Sequence, residues 1–181
     1  MGKIEQSIEV NVPVTTAYNQ WTQFEEFPKF MQGVESVRQL DDKTLEWKAS
    51  IAGNEETWMA EISEQEPDQR VAWHSTTGAQ NAGVVTFHYI EPNKTRVMLQ
   101  MDWDPQGALQ TAGDALGLDD RRVKGDLERF KEFIESRGAE TGAWRGEIDR
   151  GEGVASGASG ASGASGGTGG TGGTGTSGGT F

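Results

Sequence analysis

The chain contains no cysteine, which excludes disulfides, thiolate metal sites and cysteine nucleophiles, although it does not identify a compartment. Only two histidines are present, His74 and His88, so a histidine-based metal centre would need ligands of another kind. No apolar run approaches the ~20 residues that a membrane-crossing helix needs. The first ten residues alternate polar and apolar side chains and lack a signal-peptide core, so a cytoplasmic protein is expected. Runs of Lys and Arg are missing too: 28 acidic residues face 16 basic ones, a net charge of −12. Such a chain repels phosphate backbones and anionic bilayers, so neither nucleic acid nor stable membrane insertion is expected.

Glycine is plentiful only at one end. Of 26 glycines, 14 lie from Gly151 onward, and every third residue from Gly157 to Gly178 is glycine. The spacing is that of collagen, but the tract holds neither the proline that preorganises a triple helix nor charges to pair between chains. Residues 151–181 therefore read as a flexible Gly/Ser/Thr/Ala-rich tail, disordered in isolation. Residues 1–150 carry all charges but Glu152, a net −11, and are long enough to bury about two-thirds of their unfolded surface as one domain.

That domain opens with a two-residue period, Ile4 to Val12, predicting a half-buried strand. Pro13 suits the start of a helix carrying Val14, Ala17, Tyr18 and Trp21, and a second series, Phe24, Phe27, Phe30 and Met31, predicts a short helix bent at Pro28. From Val34 the period returns to two for about seventy residues, broken at Asp41–Lys43, Ala52–Asn54, Pro67–Asp68, Gly78–Asn81, Glu91–Lys94 and Asp104–Gly107. Short turns between neighbouring strands predict antiparallel hairpins, about seven strands in all. Leu109, Ala112, Leu116, Val123, Leu127, Phe130 and Ile134 then mark one long helix, with Gly117 a place for a bend and Gly138 a stop. Arg122 with Asp126, and Glu128 with Lys131, are spaced for surface pairs. The architecture is α+β: a curved antiparallel sheet gripping a C-terminal helix, the only element long enough to cover its apolar face.

Trp47, Trp58, Trp73 and Trp103 fall on the apolar register of four different strands, among the small residues Ala49, Ala60 and Gly83. They can fill an ordinary core or line a ligand cavity, since indoles bury large area yet keep an N–H that wants a partner. Tyr89 and Ser75 share the inward register; Tyr89 could donate a proton to a bound carbonyl, orient it or be core, and Ser75 could hydrogen-bond a ligand but has no evident base to activate it. His74 and His88 alternate outward and could approach each other across a hairpin, but two ligands make a weak metal site, and no metal is expected. Asp102 and Asp104 share a strand face about 7 Å apart, a spacing that could suit paired carboxylates, but they flank inward Trp103 and a solvated outer face is expected. Gly113 and Gly117 lack the Lys-Ser/Thr of a phosphate loop.

Several segments resemble the START-like superfamily, also called SRPBCC. They are Ser7–Val10 with Pro13 and Ala17–Tyr18, Trp21 with Phe24–Met31, Gly33–Val34, Trp73 with Ser75, Gly83–Phe87, Thr95–Val97, Asp126–Lys131 and Trp144–Gly146. Over residues 3–146 the chain is most similar to the bacterial polyketide cyclase/dehydrase and coenzyme-Q-binding START-type proteins, with Phe27–Met31 the most distinctive stretch. The resemblance implies a helix-grip fold with a deep cavity between sheet and C-terminal helix. It implies that Trp47, Trp58, Trp73, Phe87, Tyr89, Leu99 and Met101 line that cavity, faced by Leu116, Val123 and Leu127, with Phe24, Phe27, Phe30 and Met31 near its entrance. It implies a small hydrophobic ligand (a quinone, lipid or polyketide); no cofactor is expected. Three functions remain open at this point: binding or transfer of that ligand, a polyketide cyclase or dehydratase using Tyr89, and a scaffold tethered by its tail.

Overall fold

The computed structural model describes residues 2–51, 53–104 and 120–149. The predicted tail, and the helical residues Leu109, Ala112, Leu116 and Gly117, lie outside them, as do Gly113 and the turn at 105–107. Alternating apolar residues produce seven strands: β1 (Gly2–Val10), β2 (Val34–Gln39), β3 (Thr44–Ile51), β4 (Asn54–Glu66), β5 (Arg70–Thr77), β6 (Gln80–Glu91) and β7 (Lys94–Asp104). They form one antiparallel sheet in the order β1-β7-β6-β5-β4-β3-β2. The strands after β1 meander, and the first strand returns to pair with the last, Gly2 opposite Trp103 and Val10 opposite Thr95.

Helix α1 (Val14–Trp21) begins directly after Pro13, whose carbonyl receives the Ala17 N–H at 3.0 Å. The predicted bent helix is a 3-10 helix, Phe24–Lys29. Pro28 has no N–H to continue an α-helical ladder, and the tighter turn accommodates it. Helix α2 (Asp120–Arg137) buries Val123, Leu127, Phe130 and Ile134, a stripe with steps of four, three and four residues that lies on one helical face. That face closes the sheet. Phe130 is fully buried, with ring centroids 5.3 Å from Trp21 and 5.2 Å from Phe30, while Tyr18 meets Phe87 at 5.4 Å.

The charges of α2 interact beyond what their spacing suggests: Arg122 acts on Asp126 through its charge, and further partners join in. Asp126 pairs with Arg129, and Lys131 with Glu135 at 3.0 Å, because these side chains also fasten the helix to its neighbours. Lys131 donates to the Glu9 carbonyl at 2.8 Å, and Glu135 accepts the Asn11 N–H at 2.6 Å.

After Gly138 the chain runs back across α1. Gln20 and Thr141 exchange two hydrogen bonds, and Arg145 grips Asp68 through both Nη atoms at 3.0 and 2.8 Å while donating to Asn19 at 2.8 Å. Ile148 then bridges Gln65 on β4, each N–H meeting the other's carbonyl at 2.8 Å. This segment supplies partners for Asn19, Gln20 and Thr22, polar residues of α1 and its C-cap that are otherwise buried.

Replacing Phe130 by Ala removes the ring shared by Trp21 and Phe30 and should cost about 3–5 kcal/mol in urea unfolding. Leu40→Ala, at a position 48% exposed, should stay within about 0.5 kcal/mol. Equal effects would show that the seat of α2 is not the centre of the core.

Candidate functional site

Packing under α2 is uneven. Phe130 and Ile134 are buried solidly, whereas Val123 and Leu127 face a cavity of about 120 Å³. Its opposite wall comes from alternate residues of the sheet: Leu45, Trp47 and Ala49 of β3, Trp58 and Ile62 of β4, Val71 and Trp73 of β5, and Leu99 and Met101 of β7. One end is formed by Trp21, Phe24, Phe27, Phe30 and Met31. The strand register explains the aromatic wall. Trp47 stands directly opposite Trp58, and their rings stack in near-parallel planes with centroids 5.7 Å apart. Trp73 stands opposite Gly83, where a Cβ would come within 2.6 Å of the indole, so glycine there lets the ring lie against β6.

Polar groups are few. Trp73 Nε1 donates to Asn81 Oδ1 at 3.2 Å, Asn81 Nδ2 donates to the Ala79 carbonyl at 3.1 Å, and the Asn81 N–H reaches Ser75 Oγ at 3.0 Å. Trp47 Nε1 is shut off from solvent and meets no acceptor among the described residues. A buried donor in that condition costs about 1–3 kcal/mol.

The rim is charged. Arg122 and Asp126 both line the cavity and hold the 30–33 segment: Arg122 donates to the Gln32 carbonyl, and Asp126 accepts the Gln32 N–H at 2.9 Å. Arg129 adds a bond to the Phe30 carbonyl at 2.9 Å and pairs with Asp126. Burial pushes the Asp126 carboxyl above its ordinary range, and the Gln32 N–H and Arg129 oppose that shift without cancelling it. The buried Tyr18 hydroxyl, outside the cavity, is pushed up to about 12 by desolvation, so it stays protonated at neutral pH.

Of the residues expected at the site, Trp47, Trp58, Trp73, Leu99, Met101, Val123 and Leu127 come together, and Phe24, Phe27, Phe30 and Met31 join them at one end. Leu116 and the Trp103 side chain lie outside what is described. Phe87 packs instead against Tyr18 and Trp21 in the solid core. Ser75 sits at the β5–β6 hairpin, outside the cavity wall, holding the Asn81 backbone. Tyr89 is a correction. It is 64% exposed, because β5 pairs with β6 only as far as Thr86 and the strand runs on past its partner. A phenol in water cannot serve a ligand under α2. His74 and His88 are both exposed, but His74 faces Ala82, six positions along β6 from His88 and so about 20 Å away. They do not meet. No group of three metal-ligating side chains occurs among the described residues. Nor is any described helix long and apolar enough to cross a membrane.

Gln32, Asn81, Arg122 and Asp126 were not anticipated at the cavity. The signal that could have found Asn81 is its place two residues before Gly83, on the same strand face as the glycine that admits Trp73.

Residues 10–132 match the family described as polyketide cyclase / dehydrase and lipid transport. The chain belongs to that family. A protein of Streptomyces lincolnensis, described as an uncharacterized 17.2 kDa protein in the melC2-rnhH intergenic region, is 56% identical over 149 residues, which are 82% of this chain and 99% of its own. Among solved structures, the ZhuI aromatase/cyclase of Streptomyces sp. R1128 superposes with a TM-score of 0.64 at 14% identity, over 79% of this chain and 99% of that one. A START superfamily protein of Mycobacterium smegmatis gives 0.59 at 12% identity, over 75% and 95%. A protein of Deinococcus radiodurans gives 0.61 at 24% identity, over 76% and 99%. These likenesses establish the START-like fold of this family member; at such identities they carry no activity with them.

The raised Asp126 carboxyl has a consequence for this family member's stability. Between the ordinary value near 3.8 and the raised one, the folded protein binds more protons than the unfolded chain, so Asp126's contribution falls as pH rises. Asp126→Asn should therefore gain on the wild type from about pH 3 to about pH 7 in urea midpoints. A constant difference across that range would show that Asp126 titrates normally.

Proposed function

We propose that this protein binds a small hydrophobic molecule between the sheet and α2, and that binding or transfer, rather than catalysis, is its work. The observation that carries this reading is the cavity itself: a space walled by stacked indoles and aliphatic side chains beneath Val123 and Leu127 of α2, beside the solidly buried Phe130 and Ile134. Apolar cavities of comparable size, roughly 150 Å³, hold one aromatic ring. The space suits a single ring, or one end of a longer quinone, lipid or polyketide. Residues 1–150 would then be the ligand-binding domain and residues 151–181 a Gly/Ser/Thr/Ala-rich segment appended to it.

The cyclase or dehydratase reading has a narrower basis in the family description. Tyr89 no longer supports it. The ionisable side chains lining the cavity, among the described residues, are Arg122 and Asp126, and both are engaged in holding the 30–33 segment.

Ethylbenzene is a suitable probe for the binding reading. Calorimetry should show it binding to the wild type, and Ala49→Phe, which places a phenyl group into the cavity wall, should abolish binding while a cooperative melting transition persists. Equal affinity in the two proteins would place the ligand elsewhere and overturn the assignment.

A further inference from the structure

Most of the cavity wall is held in place by buried apolar packing. Lifting α2 would expose Val123, Leu127, Phe130 and Ile134, and a route through the sheet would part the β3–β4 ladder. The stretch between Phe30 and Val34 is held differently. Phe30 is fixed in the core at 2% exposure, but Met31 is half-buried and Gln32 is exposed, so little apolar surface keeps residues 31–33 where they are.

The ties on this stretch are polar, and they come from α2. Arg122, Asp126 and Arg129 follow one another at steps of four and three residues, so they share one side of the helix next to its apolar stripe. All three reach backbone atoms. Arg122 donates to the Gln32 carbonyl, Asp126 Oδ1 accepts the Gln32 N–H at 2.9 Å, and Arg129 Nε donates to the Phe30 carbonyl at 2.9 Å. Arg129 also pairs with the same Asp126 oxygen, which fixes the carboxylate for Gln32. Two glycines make room for the two guanidinium groups. Gly33 holds a φ of +81°, and a Cβ there would collide with Arg122; at Gly125 a Cβ would come within 3.3 Å of Arg129 Nη1. On its other side the stretch is anchored to β3, where the Gly33 carbonyl receives the Ser50 N–H at 2.7 Å.

We propose that residues 31–33 are a door to the cavity, hinged at Gly33 and latched by Arg122, Asp126 and Arg129, and that release of the latch sets the rate at which a ligand enters and leaves. The proposal rests on the binding reading above and concerns how the cavity is reached. Met31, Gln32, Arg122 and Asp126 line the cavity and Arg129 does not, so Arg129 is a positioning residue that can be changed without altering the wall.

The test follows para-fluoroethylbenzene, a fluorinated form of the probe above, on the full chain. Titration gives its dissociation constant and ¹⁹F line shapes give its exit rate, from which the entry rate follows. In Arg129→Met, which keeps a long side chain but neither bond, entry and exit should both quicken about tenfold while the dissociation constant stays within about twofold; tenfold is the low end for bonds to a charged group, as suits a side chain 40% exposed. Amide hydrogen exchange should quicken at Gln32 and hold at the buried Val97 of β7. Unchanged entry and exit overturn the proposal, whatever the Gln32 amide does. Equal quickening at Val97 also overturns it, by making Arg129 a general prop of the fold, as does weaker affinity at an unchanged entry rate, by making it part of the binding wall. If the probe does not bind the wild type, the binding reading itself fails and the door falls with it.

Discussion

A single antiparallel sheet with one apolar face is not a stable object until something covers that face. Here the cover is α2, and its seat is the contact of Phe130 with Trp21 and Phe30. Three separate parts of the chain meet at that point: the end of α1, the segment after the 3-10 helix, and the C-terminal helix. The surrounding bonds serve the same junction. Lys131 and Glu135 tie α2 to the end of β1, and Arg129 ties it to the Phe30 carbonyl. The segment after Gly138 then crosses α1 and locks onto β4 through Ile148.

Fixing the helix at one end determines what happens at the other. Beyond Phe130, toward the start of α2, Val123 and Leu127 stand over strands that carry Trp47, Ala49 and Trp58, and large and small side chains there do not fill the space. The cavity is thus a consequence of seating the helix on aromatic residues at one end while leaving small residues such as Ala49 beneath the other. The 30–33 segment is held against the mouth by backbone bonds to Arg122, Asp126 and Arg129, so the polar groups of the rim are occupied in shaping the cavity. Membership of the polyketide cyclase / dehydrase and lipid transport family accords with such a container, and the ligand's chemistry has to be read from the wall itself.

Much of this was legible in the sequence, for identifiable reasons. Two-residue alternation located all seven strands, and a helical stripe through Val123, Leu127, Phe130 and Ile134 located the cover. Alternation also brought Trp47, Trp58 and Trp73 to one face. It fails where the question is depth rather than side. Tyr89 shares a register with Phe87, yet one is in water and the other in the core, because strand ends are set by the length of the neighbouring strand. It fails also for register between strands, which decides that His74 and His88 are far apart. Asn81, Gln32 and Arg122 were invisible because their roles depend on contacts made across hairpins and between distant segments. Helical spacing suggested Arg122 for Asp126, and its charge does act on that carboxyl, but spacing did not show the bonds Asp126 makes to the Gln32 N–H and to Arg129.

The central claim is that a ligand sits between the sheet and α2. Isotope-filtered nuclear Overhauser spectra of the methyl-labelled protein with saturating acetophenone test it most directly. The account predicts cross-peaks from the ligand ring to methyl groups of Leu99, Met101, Val123 and Leu127. Cross-peaks confined to the exposed Leu40, or none at saturation, would contradict it.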